Sequence, residues 1–348
     1  MAERREAAYR EGLQTYVKAV FPDRDQAQVA DLHEISVGWE SDVFAFDLVS
    51  GPSGDRAREP MILRVYPGVD AWEKSAREYD GLKRLLGVGY PVPRVFHLAR
   101  ESSPFGRPFL IMERVPGRPI WAETFHGPEP TRRAHFDLFI RLFVRLHAID
   151  WRDLVGDDPT PFLEDPYTFV DHWLDRFRGV VAELSQPGYV PVLDWLTAKR
   201  GAVPCLRPAP IHWDYHPDNI LLDRTGSATV IDWTQYEISD PRFDLAWTMT
   251  LVGAGEGEEV RERIRERYEA VAGTRLEGMV FFEVFACAKR LASVTISLAA
   301  GAEQLGMRPG AEEAMRRQIP ALSRVYERLL ALAGTPVPEV EAVLSGGV

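Results

Sequence analysis

In this chain of 348 residues, His212, Trp213, Asp214, Tyr215, His216, Pro217, Asp218 and Asn219, followed by Val230, Ile231, Asp232 and Trp233, gather side chains that could do chemistry. Asp214 is a carboxylate on a tight loop, Asn219 an amide further along it, and Asp232 a second carboxylate beyond two short apolar runs. A Mg-nucleotide phosphotransfer site needs this set. One group orients or takes a hydroxyl proton, and two oxygens serve the metal that bridges the phosphates. Mg2+ keeps several waters and takes few protein oxygens, so an Asn and an Asp suffice.

The same loop admits a second chemistry. His212, Asp214 and His216 alternate, so on an extended segment they would face one way, and imidazoles with a carboxylate suit Zn2+ or another transition metal. That would make a metal-dependent hydrolase. Pro217 favours a turn directly after His216, and no further His or Cys cluster completes such a site.

The elements that must position these residues are legible nearby. Ile220 to Leu222 and Ala228 to Ile231 are short apolar runs separated by Asp223, Arg224, Thr225, Gly226 and Ser227, a pattern that predicts a hairpin. Asn219 would stand where its first strand begins and Asp232 where its second ends, so both would fall at one end of the hairpin and could share a metal.

Here the chain resembles a known family, the aminoglycoside phosphotransferase and choline-kinase-like enzymes, relatives of the protein kinases. Their loop has the form His-x-Asp-x-x-x-x-Asn followed by Ile/Val-Asp-Trp/Phe, which His212 to Asn219 and Ile231-Asp232-Trp233 match. The resemblance implies that Asp214 is the catalytic base and that Asn219 and Asp232 hold Mg2+. Asp240-Pro241-Arg242-Phe243-Asp244-Leu245-Ala246 resembles the family's Asp-Pro-x-x-Asp-Leu-Ala element, whose second Asp braces the catalytic loop. By that correspondence Asp244 is not a metal ligand, and His212 and His216 have packing and supporting roles.

The resemblance extends upstream. Ile35 to Val49 reads as strand, turn and alternating strand, placed where the family has its nucleotide loop, and Gly38 is the one residue there that allows close backbone approach to phosphate. Met61 to Tyr66 reads as a strand carrying Arg64, where the family has Lys or Arg reaching the phosphates. Arg is not a neutral swap, because its fork is planar and stays charged. Val69 to Leu86 has helical spacing, with Trp72, Ala76, Tyr79, Leu82 and Leu86 on one face. Glu78 would pair with Arg64, the alternative being a surface Glu. Pro108 to Val115 reads as a strand leading to a turn at Pro116 and Gly117, which resembles the family's hinge. There main-chain groups at Glu113 and Val115 would bind the adenine, with Met112 at its edge.

Taken together, the resemblance implies an α+β, two-lobe, protein-kinase-like fold. Residues 1–115 would form the nucleotide lobe, an antiparallel sheet with extra N-terminal helices near 5–20 and 25–31. Residues 116–348 would form the larger, mainly helical catalytic and acceptor lobe, and the segment after Gly334 would be a mobile tail. The cofactors implied are ATP or GTP with Mg2+, and the acceptor is a hydroxyl of a small molecule. A nucleotide-binding protein with little turnover is the alternative that Arg64 and the glycine-poor loop keep open.

Composition sets the remaining bounds. The chain is 45% hydrophobic and 27% charged, ordinary for a globular protein. Two cysteines give no disulfide framework, and the charged start Met1 to Glu6 lacks an apolar signal segment, so a cytoplasmic location is expected. The apolar stretch Met279 to Leu298 is interrupted by Glu283, Lys289 and Arg290, which favours a buried helix over a membrane span. A formal charge of −11 argues against a nucleic-acid partner. About −9 of it lies beyond residue 117, which leans towards a cationic acceptor such as an aminoglycoside or amino alcohol. Solvated helix faces are the competing explanation, and the oligomeric state stays open.

Overall fold

The structure is a computed structural model that describes residues 2–22, 24, 26–35, 41–52, 56–100, 103–155, 165–301 and 311–346. They group into two compact units, one built on Met1–Arg118 with Leu221–Thr234, the other on Pro119–Ile220 and the chain from Gln235 onward.

The first unit is a five-stranded antiparallel sheet in the order β1-β2-β3-β5-β4. Its strands are β1 (Gln28–Glu34), β2 (Asp42–Ser50), β3 (Ala57–Val65), β4 (Val95–Ala99) and β5 (Phe109–Glu113), with helices α1 (Ala2–Val20) and α2 (Ala71–Gly87). Alternation sends Phe44, Phe46 and Leu48 of β2, and Met61, Leu63 and Val65 of β3, into one core with Tyr9, Leu13 and Val17 of α1. Arg64 lies between two of those buried positions and so faces the other way.

Three expectations need correction here. The segment read as a second N-terminal helix, 25–31, is mostly strand β1. It is an edge strand with a register shift between Ala30 and His33, and its exposed residues, Gln28, Asp31 and His33, keep no regular alternation to read. The buried face of α2 is Ala71, Ser75, Glu78, Leu82 and Leu85, roughly a quarter turn from the one expected. Trp72 and Tyr79 are left at the rim, where Arg100 covers the first ring at 4.2 Å and Lys83 the second at 5.2 Å. The tail after Gly334 forms the helix Pro338–Leu344, burying Val337, Val340 and Val343, and the Tyr326 hydroxyl accepts from the Val337 N–H.

The second unit is mostly helical. Glu129–Ala148, Thr168–Glu183, Pro241–Glu256, Glu258–Ala272, Met279–Ala300 and Ile319–Ala333 are its longer helices. Glu283 of Met279–Ala300 is buried and ion-paired to Arg261 at 2.8 Å and Arg328 at 2.7 Å, and no described helix is long and apolar enough to cross a membrane.

Candidate active site

In the second unit, Ala209–Ile211 pairs antiparallel with Glu237–Ser239. The chain leaves this small sheet at His212 and meets Asp244, in the first turn of helix Pro241–Glu256. Asp244 is fully buried and accepts the N–H groups of His212 at 2.7 Å and Trp213 at 2.8 Å. Its Oδ2 also lies 3.2 Å from Nε2 of His147, whose other ring nitrogen is 2.8 Å from the Tyr268 hydroxyl. Asp240 caps the same helix by accepting from the Arg242 N–H at 2.9 Å.

Trp213 takes φ +63°, an outlier for so bulky a residue. The indole holds it there, packed on Trp173, Phe243 and Trp247 and donating to Glu237 at 2.8 Å. Tyr215 is equally fixed, stacked on Phe143 at 4.1 Å and donating to the Phe139 carbonyl at 2.7 Å. Between these two buried anchors the Asp214 side chain is 36% exposed, so the carboxylate is reachable while its backbone is fixed.

Asn219 closes the loop. Its amide nitrogen donates to the Asp214 carbonyl at 2.8 Å and lies 3.3 Å from Asp214 Oδ2. That leaves its side-chain oxygen with no hydrogen bond among the described residues. His216 Nε2 stands 3.5 Å from Asp214 Oδ2 and 3.3 Å from the Asn219 amide nitrogen. Burial acts to raise the Asp214 pKa, but His216, then His212 and Arg290, outweigh it and hold the carboxyl well below the ordinary carboxylate range.

In the first unit, Arg64 is the centre of a charged cluster. Its Nε donates to Ser41 Oγ at 2.9 Å, Nη1 to Glu78 Oε1 at 3.0 Å and Nη2 to Asp232 Oδ1 at 2.8 Å. Tyr66 donates to the other oxygen of Glu78. Burial would lower the Arg64 pKa, yet Asp232 and Glu78 more than offset it and push it well up. Asp232 adopts φ +67°, a region Asp tolerates better than most residues. The neighbouring indole of Trp233 fixes it there, set edge-on to Tyr90 at 5.8 Å and donating to the Val230 carbonyl. Strain of this kind gathers at functional sites.

Most of the expected site residues therefore fall into two described groups, Asp214, Asn219, His212, His216 and Asp244 in one unit and Arg64, Glu78 and Asp232 in the other. Ile220–Leu222 and Ala228–Val230 form the two strands expected as a hairpin, with Asn219 just before the first and Asp232 just after the second. Met112 is buried at the end of β5, the Glu113 N–H is taken by the Arg94 carbonyl at 2.8 Å, and the Val115 N–H makes no hydrogen bond among the described residues. A Cβ on Gly117 would meet the Leu222 backbone at 2.8 Å, and φ there is +131°, so the turn after the strand requires glycine. Gly38 lies outside the described residues. Among those described, no group of three His, Cys, Asp or Glu side chains could hold a metal. His212 in particular turns its Nδ1 to accept the Asp214 N–H, so the alternating triple does not assemble as a transition-metal site.

Sequence reasoning passed over Ser41, Tyr66, His147 as a brace, and Arg290. Tyr66 shares the strand face of Arg64 two residues on, a usable signal. Lys289 and Arg290 interrupt a helix otherwise buried, and charge in such a place marks a partner or a function. Ser41 and His147 left no signal in the sequence.

The chain belongs to the phosphotransferase enzyme family, whose profile matches residues 31–279. Viomycin phosphotransferase of Streptomyces vinaceus is 26% identical over 215 residues, 56% of this chain and 71% of that protein. Acyl-CoA dehydrogenase family member 10 of Mus musculus is 28% identical over 199 residues, 55% of this chain. The matched region covers only 18% of that relative's own length. Among solved structures, a candidate aminoglycoside phosphotransferase of Ralstonia eutropha JMP134 has a TM-score of 0.65 at 22% identity, covering 92% of this chain and 98% of that one. Aminoglycoside phosphotransferase APH(4)-Ia, solved with AMP-PNP and hygromycin B, has a TM-score of 0.59 at 17% identity, covering 93% and 98%. The likeness establishes a protein-kinase-like fold.

Proposed function

We propose that this phosphotransferase moves the γ-phosphoryl group of ATP to a hydroxyl of a small molecule in the cytoplasm, with Asp214 at the acceptor oxygen. The observation that carries the reading is the Asp214 loop. Two buried aromatic anchors and Asp244 fix its backbone, while the carboxylate itself remains accessible and ionised. Such a carboxylate orients a hydroxyl strongly but is a weak base in the resting state. It suits a loose transition state in which the proton leaves late.

Asn219 and Asp232 supply an amide and a carboxylate oxygen, hard donors of the kind Mg2+ accepts alongside waters. The unengaged oxygen of Asn219 supports this assignment. Bound there, Mg2+ would neutralise phosphate charge. Arg64, held by Glu78, is the cation for the phosphates, and the unused Val115 N–H supports main-chain recognition of the base near Met112 and Glu113. The competing reading, nucleotide binding with little turnover, draws on Arg64, whose fork is already shared among Ser41, Glu78 and Asp232.

The experiment is ADP release from MgATP, with MgGTP alongside, in the presence of hydroxylated small molecules. Turnover above the acceptor-free rate, abolished by Asp214→Asn, is the expected result. Nucleotide binding without acceptor-dependent ADP release would instead support the competing reading. The bulk acidity of the C-terminal part and the drugs named for two relatives, viomycin and hygromycin B, put amine-bearing acceptors on the panel.

A further inference from the structure

Helix Pro241–Glu256 meets the Asp214 loop with one face. Asp244, Trp247 and Thr248 stand at i, i+3 and i+4, positions that share a side of a helix. Asp244 takes the N–H groups of His212 and Trp213. Trp247 sets its indole edge-on to that of Trp213, with ring centroids 6.2 Å apart. Thr248 is fully buried, and its Oγ1 donates to the Tyr215 carbonyl at 2.8 Å. The helix therefore holds the backbone on both sides of Asp214, by two N–H groups before it and a carbonyl after it.

The Thr248 bond departs from what a hydroxyl inside a helix usually does. Thr124, Thr250 and Thr295 are also buried in helices, and each returns its hydroxyl to the carbonyl four residues back, at 2.6, 2.8 and 3.1 Å. Thr248 passes over that local acceptor and reaches out to the loop. What it holds is the peptide joining Tyr215 to His216. His216 Nε2 in turn lies 3.5 Å from Asp214 Oδ2 and 3.3 Å from the Asn219 amide nitrogen. Phe143 and the Phe139 carbonyl anchor the ring end of Tyr215. Thr248 constrains the other end, the direction in which the chain leaves Tyr215 towards His216 and Asn219.

From this placement, and resting on the phosphotransfer reading above, we propose that Thr248 is a positioning residue for the transfer. Through the Tyr215–His216 peptide it sets where His216 and Asn219 stand against Asp214, and so the angle at which the carboxylate meets the acceptor hydroxyl. Fully buried, it acts through the loop and not on substrate. Removing its hydroxyl loosens the aim of Asp214 and leaves every binding group in the chain. The loss therefore falls on turnover and not on affinity.

The test compares two threonines two residues apart on one helix. ADP and phosphorylated acceptor are measured from MgATP with hygromycin B, viomycin, choline, glucose and glycerol, and kcat is taken with the acceptor that wild type turns over fastest. Thr248→Val, which keeps the shape and removes the hydroxyl, should lower kcat at least about fivefold with KM for ATP and acceptor within about twofold. Thr248→Ser keeps the hydroxyl and should recover most of that loss. Thr250→Val removes a hydroxyl that serves the Ala246 carbonyl of its own helix, and should leave kcat within about twofold. A smaller loss from Thr248→Val, a loss carried by KM, an equal loss from Thr250→Val, or no recovery with Thr248→Ser overturns the inference and leaves phosphotransfer standing. If Thr248→Val does not fold, Thr248→Ala against Thr250→Ala decides on the same terms. No acceptor-dependent ADP release by wild type overturns both.

Discussion

At the Asp214 loop, Asp244 receives two backbone N–H groups, aromatic rings stack on Tyr215, and the amide of Asn219 ties the loop to itself. At Arg64 every contact is a side chain meeting a side chain, and two of the three partners are carboxylates. The first arrangement is backbone geometry set in a buried interior, where removing one acceptor strands donors. The second is a set of charges satisfied by one another, which phosphate or a metal could rearrange without unfolding anything. On the proposed reading, the first part would keep the Asp214 carboxylate in place, and the second could exchange partners when a nucleotide arrives.

That contrast can be broken by substitution. The largest effect belongs to Asp214→Asn, which should lower kcat by about 10²–10⁴ with nucleotide affinity nearly unchanged and a much smaller loss of melting temperature than Asp244→Ala causes. A comparable drop in both activity and stability would show that Asp214 holds the loop instead of acting from it. Asp244→Ala comes next. It should destabilise the second unit by about 2–5 kcal/mol in denaturant unfolding, because two buried N–H groups lose their acceptor.

Arg64→Lys is expected to raise KM for ATP by roughly tenfold while leaving stability within about 1 kcal/mol, since an ammonium cannot serve three acceptors in one plane. A stability loss as large as that of Asp244→Ala would erase the distinction between the two regions. The smallest effect concerns acid. Because the Asp214 carboxyl is held below its ordinary range, its stabilising contribution is complete above the unfolded value of about 3.9 and fades as pH falls towards the folded one. The melting difference between wild type and Asp214→Asn should therefore stay level from about pH 6 to pH 5 and shrink only below about pH 4. A difference already shrinking above pH 5 would place the carboxyl in the ordinary range.

How much of this could be read from residues alone divides along the same line. Asp214, Asn219 and Asp232 stand out in the sequence because the phosphotransfer chemistry proposed for them would fix residue type and spacing over a short stretch. The pairing of Arg64 with Glu78 was legible as an expectation, and the two side chains lie 3.0 Å apart. What stayed hidden depends on long-range packing. Strand β1 is an edge strand whose partner, not its own pattern, makes it extended, and Gln, Ala, Leu and Glu within it favour helix when read alone.

The buried face of α2 was misplaced because the buried residue that matters, Glu78, is an acid paired inside, while Trp72 lies under Arg100 at the rim. The last helix escaped notice because Gly334, Pro336 and Pro338 read as a tail, although Val337, Val340 and Val343 recur at helical spacing.

The central claim is that Asp214 directs a phosphoryl group from nucleotide to an acceptor hydroxyl. Its most direct test quantifies ADP and phosphorylated acceptor together, from MgATP and the pooled acceptors, for wild type and Asp214→Asn. The account predicts equal amounts of both products with wild type and neither with the variant, at unchanged nucleotide affinity. ADP without a phosphorylated acceptor, or a variant that still forms both, would contradict it.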